Sequence, residues 1–230
     1  NLEAVYHGVA QPEQVQKMYH WMETGVTSSG KADTYSQWQF APRSTTIHNP
    51  GQQEDPKTSW WHFASGGFSF GAQCQNGGAI LYTSFFDIMN RVKYFGPDNA
   101  YQRFKEILAR YNQPDKLCGG NPFFFGELSS AVGLDGEFPE NGLVPTSFMY
   151  AFIGIMPDIK GLHLHPNLPA ELSIAGVSNV LYWDGLFDIK VAKTGVNYKI
   201  TVTCLENKTD RDFNITGGEK IKLPNNCFTI

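Results

Sequence analysis

The chain has 230 residues, of which 41% are hydrophobic and 17% are charged, and its formal net charge is −4 at pH 7. This composition is typical of a folded globular chain with one large or two small domains, and it excludes a disordered segment. The negative net charge offers no basic surface for nucleic acid, and no apolar run reaches the roughly 18 residues that would indicate a membrane span. We therefore expect neither nucleic acid nor a membrane as a partner.

Helical periodicity dominates the first part of the chain. Pro12 is suited to the first turn of a helix, and the apolar positions that follow it recur at helical spacing. These positions are Val15, Met18, Tyr19 and Met22. A second helix is predicted after Gly78. Its apolar face comprises Leu81, Phe85, Ile88, Met89 and Val92.

A Gly-Pro-Asp turn separates the second predicted helix from a third, and Asp98 is placed to cap the third helix. The inward face of the third helix comprises Tyr101, Phe104, Ile107, Leu108 and Tyr111. A fourth helix is predicted from near Pro145 to Pro157, because proline ends a helix. Its inward positions are Val144, Phe148, Ala151, Phe152 and Ile155.

After Pro157 the pattern changes to short alternating runs divided by turn residues. The predicted strands cover residues 161–165, 180–183, 186–192, 196–204, 219–223 and 227–230. We expect an antiparallel sheet or sandwich, so the fold class is mainly α followed by β. The predicted division is a helical part, 1–158, and a β-rich domain, 159–230.

The four cysteines, Cys74, Cys118, Cys204 and Cys227, are too far apart for a zinc knuckle, and no His, Asp or Glu cluster has zinc spacing. We expect no metal and no cofactor. Cys204 and Cys227 both fall in the strand-rich tail and could pair in an oxidising compartment. A secreted or periplasmic location is favoured.

An aromatic, glycine-rich segment spans residues 59–78 and precedes the second predicted helix. Its rings offer stacking platforms, its glycines let the backbone approach a ligand, and its amides can bind hydroxyl groups. The candidate binding residues are Trp60, Trp61, His62, Phe68, Gln75 and Asn76. The alternative is a turn-rich loop with buried rings. A phosphate-binding P-loop is excluded, because no Gly-Lys-Ser/Thr ending is present.

An acidic segment spans residues 126–142, ahead of the fourth predicted helix. Its carboxylates are Glu127, Asp135, Glu137 and Glu140. Cleavage of a glycosidic bond needs two carboxyl groups, one to protonate the leaving oxygen and one to activate water or attack the sugar. One of these residues could be the base if the acid comes from elsewhere. The alternative is that they are solvated or interact with the start of the following helix.

Several motifs together resemble the six-hairpin glycosidases, which are built on an (α/α)6 toroid. The motifs are Gln75-Asn76-Gly77-Gly78 before a helix, Glu140-Asn141-Gly142-Leu143-Val144-Pro145 at the start of the last helix, and Gly161-Leu162-His163-Leu164-His165-Pro166-Asn167-Leu168-Pro169. The opening Asn1-Leu2-Glu3-Ala4-Val5 also resembles mid-toroid sequence. The resemblance covers nearly the whole chain.

This resemblance implies that residues 1–158 form the second half of the toroid and that residues 159–230 form its β-tail. It implies a carbohydrate substrate in a cup between the helices, with Asn141 among the binding residues. The base is expected on the loop before the last helix, which selects Glu127 first, then Glu137 and Glu140. Glu127 follows Phe123-Phe124-Phe125-Gly126, and an apolar setting would raise its pKa. The general acid and the rest of the toroid are expected upstream, outside this chain.

The expected activity is glycosidic hydrolysis with inversion of configuration, by single displacement with water. A phosphorylase of the same fold is the alternative enzyme. It would need Arg, Lys or His beside the base, and residues 127–142 contain none of these. A non-catalytic carbohydrate-binding module is the alternative outside catalysis.

Overall fold

The computed structural model describes residues 2–24, 84–111, 142–183 and 185–223 of the protein. Within these residues the chain forms five α-helices, one π-helical segment and seven strands in two antiparallel sheets. The residues cluster into two compact units, Asn1–Asn90 with Gln102–Val144, and Arg91–Tyr101 with Pro145–Ile230. The predicted succession of helices followed by antiparallel strands is confirmed at this level.

The first two helices are α1, Leu2–Tyr6, and α2, Pro12–Thr24. Pro12 occupies the first turn of α2, where a missing N–H group costs no helical hydrogen bond. The side-chain Oε1 of Gln14 accepts the N–H of Gln11 at 2.8 Å and so satisfies one of the donors at this end. The predicted start of α2 is therefore confirmed.

The buried face of α2 is the one that its periodicity predicts. Val15, Tyr19 and Met22 are buried, and Met18 is half-buried. These residues recur every three or four positions, so their side chains lie along one side of the helix. Burying a large apolar side chain contributes about 1.5–3 kcal/mol, so this face supplies most of the reason for α2 to fold.

The next two helices are α3, Ser84–Phe95, and α4, Pro97–Tyr111. Gly96 separates them with φ of +89°, a left-handed conformation that glycine adopts without steric cost. The prediction that Asp98 caps α4 is wrong, because α4 begins one residue before it. The Oδ1 of Asp98 instead accepts the N–H of Ala170 at 2.6 Å.

The apolar faces of α3 and α4 follow the prediction in part. Their buried apolar residues are Phe85, Ile88, Ala100, Phe104 and Ile107. Half-buried residues from the predicted faces are Met89, Val92, Tyr101 and Leu108. The predicted Leu81 lies outside the described residues. None of the helices that the structure describes is long and apolar enough to cross a membrane.

The last helix, α5, spans Leu143–Phe148 and continues as a π-helical segment over Met149–Ile153. Gly154 ends it with φ of +78°, and a Cβ atom there would collide with the backbone carbonyl of His165. Strand β1, Ile155–Asp158, follows directly. The predicted helix end at Pro157 is therefore wrong, because the left-handed glycine stops the helix first.

A three-stranded sheet has the order β1-β2-β7, with β2 at Gly161–Leu164 and β7 at Ile221–Leu223. Both pairs are antiparallel, and the central β2 places Leu162 opposite Leu223 and Leu164 opposite Ile155. The buried side chains of this sheet are Ile155, Leu162, Leu164 and Leu223.

A four-stranded antiparallel sheet has the order β3-β4-β5-β6, in which neighbours in sequence are neighbours in space. Its strands are β3, Ile174–Tyr182; β4, Gly185–Thr194; β5, Asn197–Cys204; and β6, Thr209–Thr216. Alternate residues of β4 and β5 face the core, as the period of a strand requires. These core residues are Phe187, Ile189, Val191, Tyr198, Ile200, Val202 and Cys204.

The tail departs from the predicted strands in two places. β3 begins at Ile174, six residues before the predicted start, and its register shifts between Val177 and Val180. β6 was not predicted. Cys204 is buried and forms no disulfide within the described residues. The predicted strand over 227–230, including Cys227, lies outside the described residues.

Candidate functional site

The sequence-predicted site residues lie outside the described residues. They are Glu127, Glu137 and Glu140 as candidate bases, and Trp60, Trp61, His62, Phe68, Gln75, Asn76 and Asn141 as candidate sugar contacts. The structure does describe the helix ends that border their segments. The aromatic segment leads into Ser84, the first residue of α3. The acidic segment lies between Tyr111, the last residue of α4, and Leu143, the first of α5.

Two side-chain contacts show that α3 and α4 form an antiparallel hairpin. The Nε of Arg103 donates to the Oδ2 of Asp87 at 2.9 Å, and the Nη1 of Arg91 donates to the Oδ1 of Asn99 at 2.9 Å. In each pair, one residue precedes Phe95 by as many positions as the other follows it, and Phe95 directly precedes the glycine turn. Residues further from the turn on the two helices must therefore also lie side by side. The start of α3 and the end of α4 consequently share one end of the hairpin.

The first residues of α5 cluster with the C-terminal part of α4. Gly142, Leu143 and Val144 fall in the compact unit that holds Gln102–Tyr111. In the other unit, the ring of Tyr101 on α4 contacts the ring of Phe152 edge to face, with centroids 5.5 Å apart. In sequence the acidic segment follows Tyr111, so it is joined to the end of the α3–α4 hairpin at which α3 begins.

A buried ion pair lies three residues after the start of α3 and eight residues before the end of α4. The side chains of Asp87 and Arg103 are 1% and 6% exposed. The Nη1 of Arg103 also lies 3.6 Å from the Oε2 of Glu106, whose side chain is 35% exposed. From α2, the hydroxyl of Tyr19 donates to the backbone carbonyl of Asp87 at 3.4 Å. The pair joins α3 to α4, and the tyrosine joins α2 to α3.

Two buried oxygen atoms near this pair have no hydrogen-bond partner within the described residues. They are the Oγ of Ser84 and the Oδ1 of Asn90, whose Nδ2 donates to the carbonyl of Leu2 at 2.9 Å. Because a buried polar atom without a partner is costly, such atoms mark places where water or another group can bind. The carboxylate of Asp87 is already bound to Arg103. This cluster is therefore suited to positioning the helix ends rather than to donating a proton.

The sequence did not identify Asp87 or Arg103 as important. A signal was present: each charge interrupts the buried face of its helix, the signs are opposite, and the two residues lie eight positions either side of Phe95. Charged residues are almost never fully buried unless they are paired. A charge on each buried face at mirrored positions around a turn therefore indicates an ion pair across a helical hairpin.

The glycine and histidine residues at the junction between α5 and the β-tail have structural contacts. The N–H of His165 donates to the carbonyl of Gly154 at 2.8 Å, and the N–H of Asn167 donates to the carbonyl of Phe152 at 2.9 Å. These bonds tie the segment after β2 to the end of the helix.

A second polar group lies in the turn between β1 and β2. The Nε2 of His163 lies 3.0 Å from the Oδ2 of Asp158, and the N–H of Lys160 donates to the Oδ1 of Asp158 at 2.6 Å. The N–H of Lys160 is the main cause that lowers the pKa of Asp158 below its ordinary value of 3.8, and the charges of His163 and Lys222 lower it further. In the described part of the chain, no three His, Cys, Asp or Glu side chains are grouped to hold a metal ion.

The sequence matches no protein-family model, no curated protein and no solved structure.

Proposed function

We propose that this chain supplies helical hairpins and the β-tail of a six-hairpin glycosidase, an (α/α)6-toroid enzyme that hydrolyses a glycosidic bond. The observation that carries the proposal is the end of the hairpin shared by the start of α3 and the end of α4. The aromatic segment precedes Ser84, and the acidic segment follows Tyr111. Aromatic side chains and carboxylates are therefore both connected in sequence to this end of the hairpin, which supports a sugar cup there.

In this proposal the acidic segment provides the base. Glu127 is the first choice, followed by Glu137 and Glu140. The base removes a proton from water, which attacks the anomeric carbon as the bond to the leaving oxygen breaks. A second carboxyl group, assigned to a part of the enzyme outside residues 1–230, protonates that oxygen. Inversion requires the two carboxyl groups to be roughly 6.5–9.5 Å apart, which leaves room for the water.

The Asp87–Arg103 pair supports the proposal because it fixes the helices that carry the two segments. Catalytic groups on loops act only if the elements that carry the loops are fixed, and a misplacement of about 1 Å can cost about 10²-fold in rate. The ion pair and the Tyr19 hydroxyl tie three helices together close to the start of α3. The stacking residues Trp60, Trp61 and Phe68 and the amides of Gln75, Asn76 and Asn141 are then the proposed sugar contacts.

The test is sugar release by the natural full-length polypeptide and by residues 1–230, on a panel of polysaccharides and aryl glycosides. Replacing a general base should lower kcat by about 10²–10⁴-fold with little change in KM. We expect this result for one of Glu127→Gln, Glu137→Gln and Glu140→Gln. The matched control is Glu206→Gln, an exposed residue just after β5, which should leave kcat unchanged.

Two outcomes would contradict the proposal. If the full-length polypeptide binds polysaccharide but releases no sugar from any substrate, the chain is a non-catalytic module. If all three glutamine variants retain wild-type turnover, the base does not come from the acidic segment. Adding inorganic phosphate separates the two enzyme classes, since formation of a sugar 1-phosphate would identify a phosphorylase.

A further inference from the structure

Trp183 occupies an unusual place at the turn between β3 and β4. Tyr182 pairs with Gly185, so the turn has two residues, and Trp183 is the first of them with φ of +52°. Such positions favour Asn, Asp or Gly, because a bulky side chain is strained there. Trp183 is also 63% exposed. The side chain of Trp183 therefore neither favours the turn conformation nor packs in the core.

The turn is fixed in place by contacts on its flanking residues. The hydroxyl of Tyr182 donates to the backbone carbonyl of Asp158 at 2.7 Å, which joins the β3–β4 turn to the β1–β2 turn. On the other side, Gly185 lies so close to the buried ring of Phe187 that a Cβ atom would collide with it. The rings of Tyr182 and Trp183 meet edge to face, with centroids 6.5 Å apart. The indole is thus held on a rigid base.

Polar and charged groups lie on the neighbouring turn. The carboxylate of Asp158 is about half exposed and is held by His163 and by the N–H of Lys160. The side chain of Lys160 is exposed and takes part in no ion pair within the described residues. Because Tyr182 binds the backbone of Asp158, these groups belong to the same surface as the indole. They supply both a hydrogen-bond acceptor and a donor.

We propose that the β1–β2 and β3–β4 turns form a carbohydrate-binding site, in which Trp183 stacks on a sugar ring of a polysaccharide and Asp158 and Lys160 bind its hydroxyl groups. A pyranose ring has an apolar C–H face and a rim of hydroxyls, which matches an indole face beside charged side chains. Its residues are not among those of the proposed catalytic segments. The choice of ligand class rests on the proposed glycosidase function.

A protein partner fits the surface less well. The centre of a protein interface is depleted of charged residues, whereas here the charged residues of one turn adjoin the exposed indole of the next. Ile159, on the β1–β2 turn, and Leu181, two residues before Trp183, are also largely exposed. Exposed apolar side chains on both turns suit a chain of several sugar units better than a single monosaccharide.

The test is the dissociation constant for soluble polysaccharides, measured by affinity electrophoresis with the full chain. We expect Trp183→Ala to weaken binding at least tenfold, Trp183→Phe to weaken it less, and Lys160→Ala to have a smaller effect. The matched control is Val196→Ala, an exposed apolar residue at the β4–β5 turn, which should bind like wild type. Thermal melting verifies that each variant is folded.

Three results would overturn the proposal. The first is wild-type affinity in Trp183→Ala, and the second is no binding of wild type to any polysaccharide of the panel. The third is self-association or vesicle binding that depends on Trp183 in place of sugar binding. Because binding is measured without turnover, a chain that binds but does not hydrolyse refutes only the catalytic proposal. A hydrolytic chain whose Trp183→Ala variant binds normally refutes only this site.

Discussion

Replacing Arg103 with methionine should strongly destabilise the helical unit. Methionine keeps much of the length and apolar volume of the side chain but leaves the buried carboxylate of Asp87 without its guanidinium. Removing one partner of a buried ion pair typically costs about 3–5 kcal/mol, because the remaining charge has lost the water that would solvate it. A folded domain is stable by only about 5–15 kcal/mol, so this is a large fraction of the total.

The assay is urea unfolding followed by far-UV circular dichroism, with the double variant Asp87→Leu/Arg103→Met as the decisive comparison. The double variant leaves neither charge behind, so it should lose less free energy of unfolding than the Arg103→Met variant. Glu106→Gln is the control. Its side chain is partly exposed and 3.6 Å from the guanidinium, so we expect a loss below about 1 kcal/mol. A loss under about 1 kcal/mol for Arg103→Met, or additive losses in the double variant, would refute the reasoning.

Three further predictions concern the β-rich unit. Gly154→Ala should lower the free energy of unfolding, measured in urea, by about 2 kcal/mol or more, because left-handed strain and the clash with the carbonyl act together. Gly195→Ala should lower it by about 1 kcal/mol, because Gly195 has φ of +60° but open space around it, so only the strain acts. The pKa of Asp158 in the folded state is below its ordinary value of 3.8, so its charge stabilises the fold above pH 3.8 and this stabilisation is lost as the pH falls through the folded-state pKa. The difference in melting temperature between wild type and Asp158→Asn should therefore shrink over this pH range, and a constant difference would contradict the prediction. Ile200→Ala should lower the free energy of unfolding by about 2–5 kcal/mol, because the side chain of Ile200 is fully buried. Thr201→Ala, at the next residue on the solvent face, should lower it by under about 1 kcal/mol, and equal losses would contradict the assigned faces.

The buried faces of the helices were predictable because apolar residues recur along them with the period of a helix. Val15, Tyr19 and Met22 recur on one side of α2, and all three are buried. The end of α5 was less predictable, since Gly154 and Pro157 both stop a helix. Only the close approach of the His165 carbonyl shows that the glycine acts first.

Strand β6 was not predictable from alternation because its sequence is dominated by polar residues. Its half-buried residues are Phe213 and Ile215, and the remaining positions are exposed. The strand forms because it pairs with β5 along its whole length, and the residues of β6 taken alone do not record this pairing. The Asp87–Arg103 pair was missed in a similar way, because each charge alone looks like a solvated residue and the pair is visible only when both helices are considered together. The catalytic and sugar-binding assignments stay predictions, because their residues lie outside the described part of the chain.

The polar character of β6 has a consequence for solubility. A sheet with open edges can add strands from other molecules, which leads to aggregation. On one edge, β6 carries Asp210 and Asp212 on one face of the sheet and Arg211 on the other. On the other edge, the register shift in β3 and the left-handed Asn179 interrupt the straight backbone that an incoming strand would need. The four-stranded sheet is therefore guarded by charge on one edge and by irregular geometry on the other.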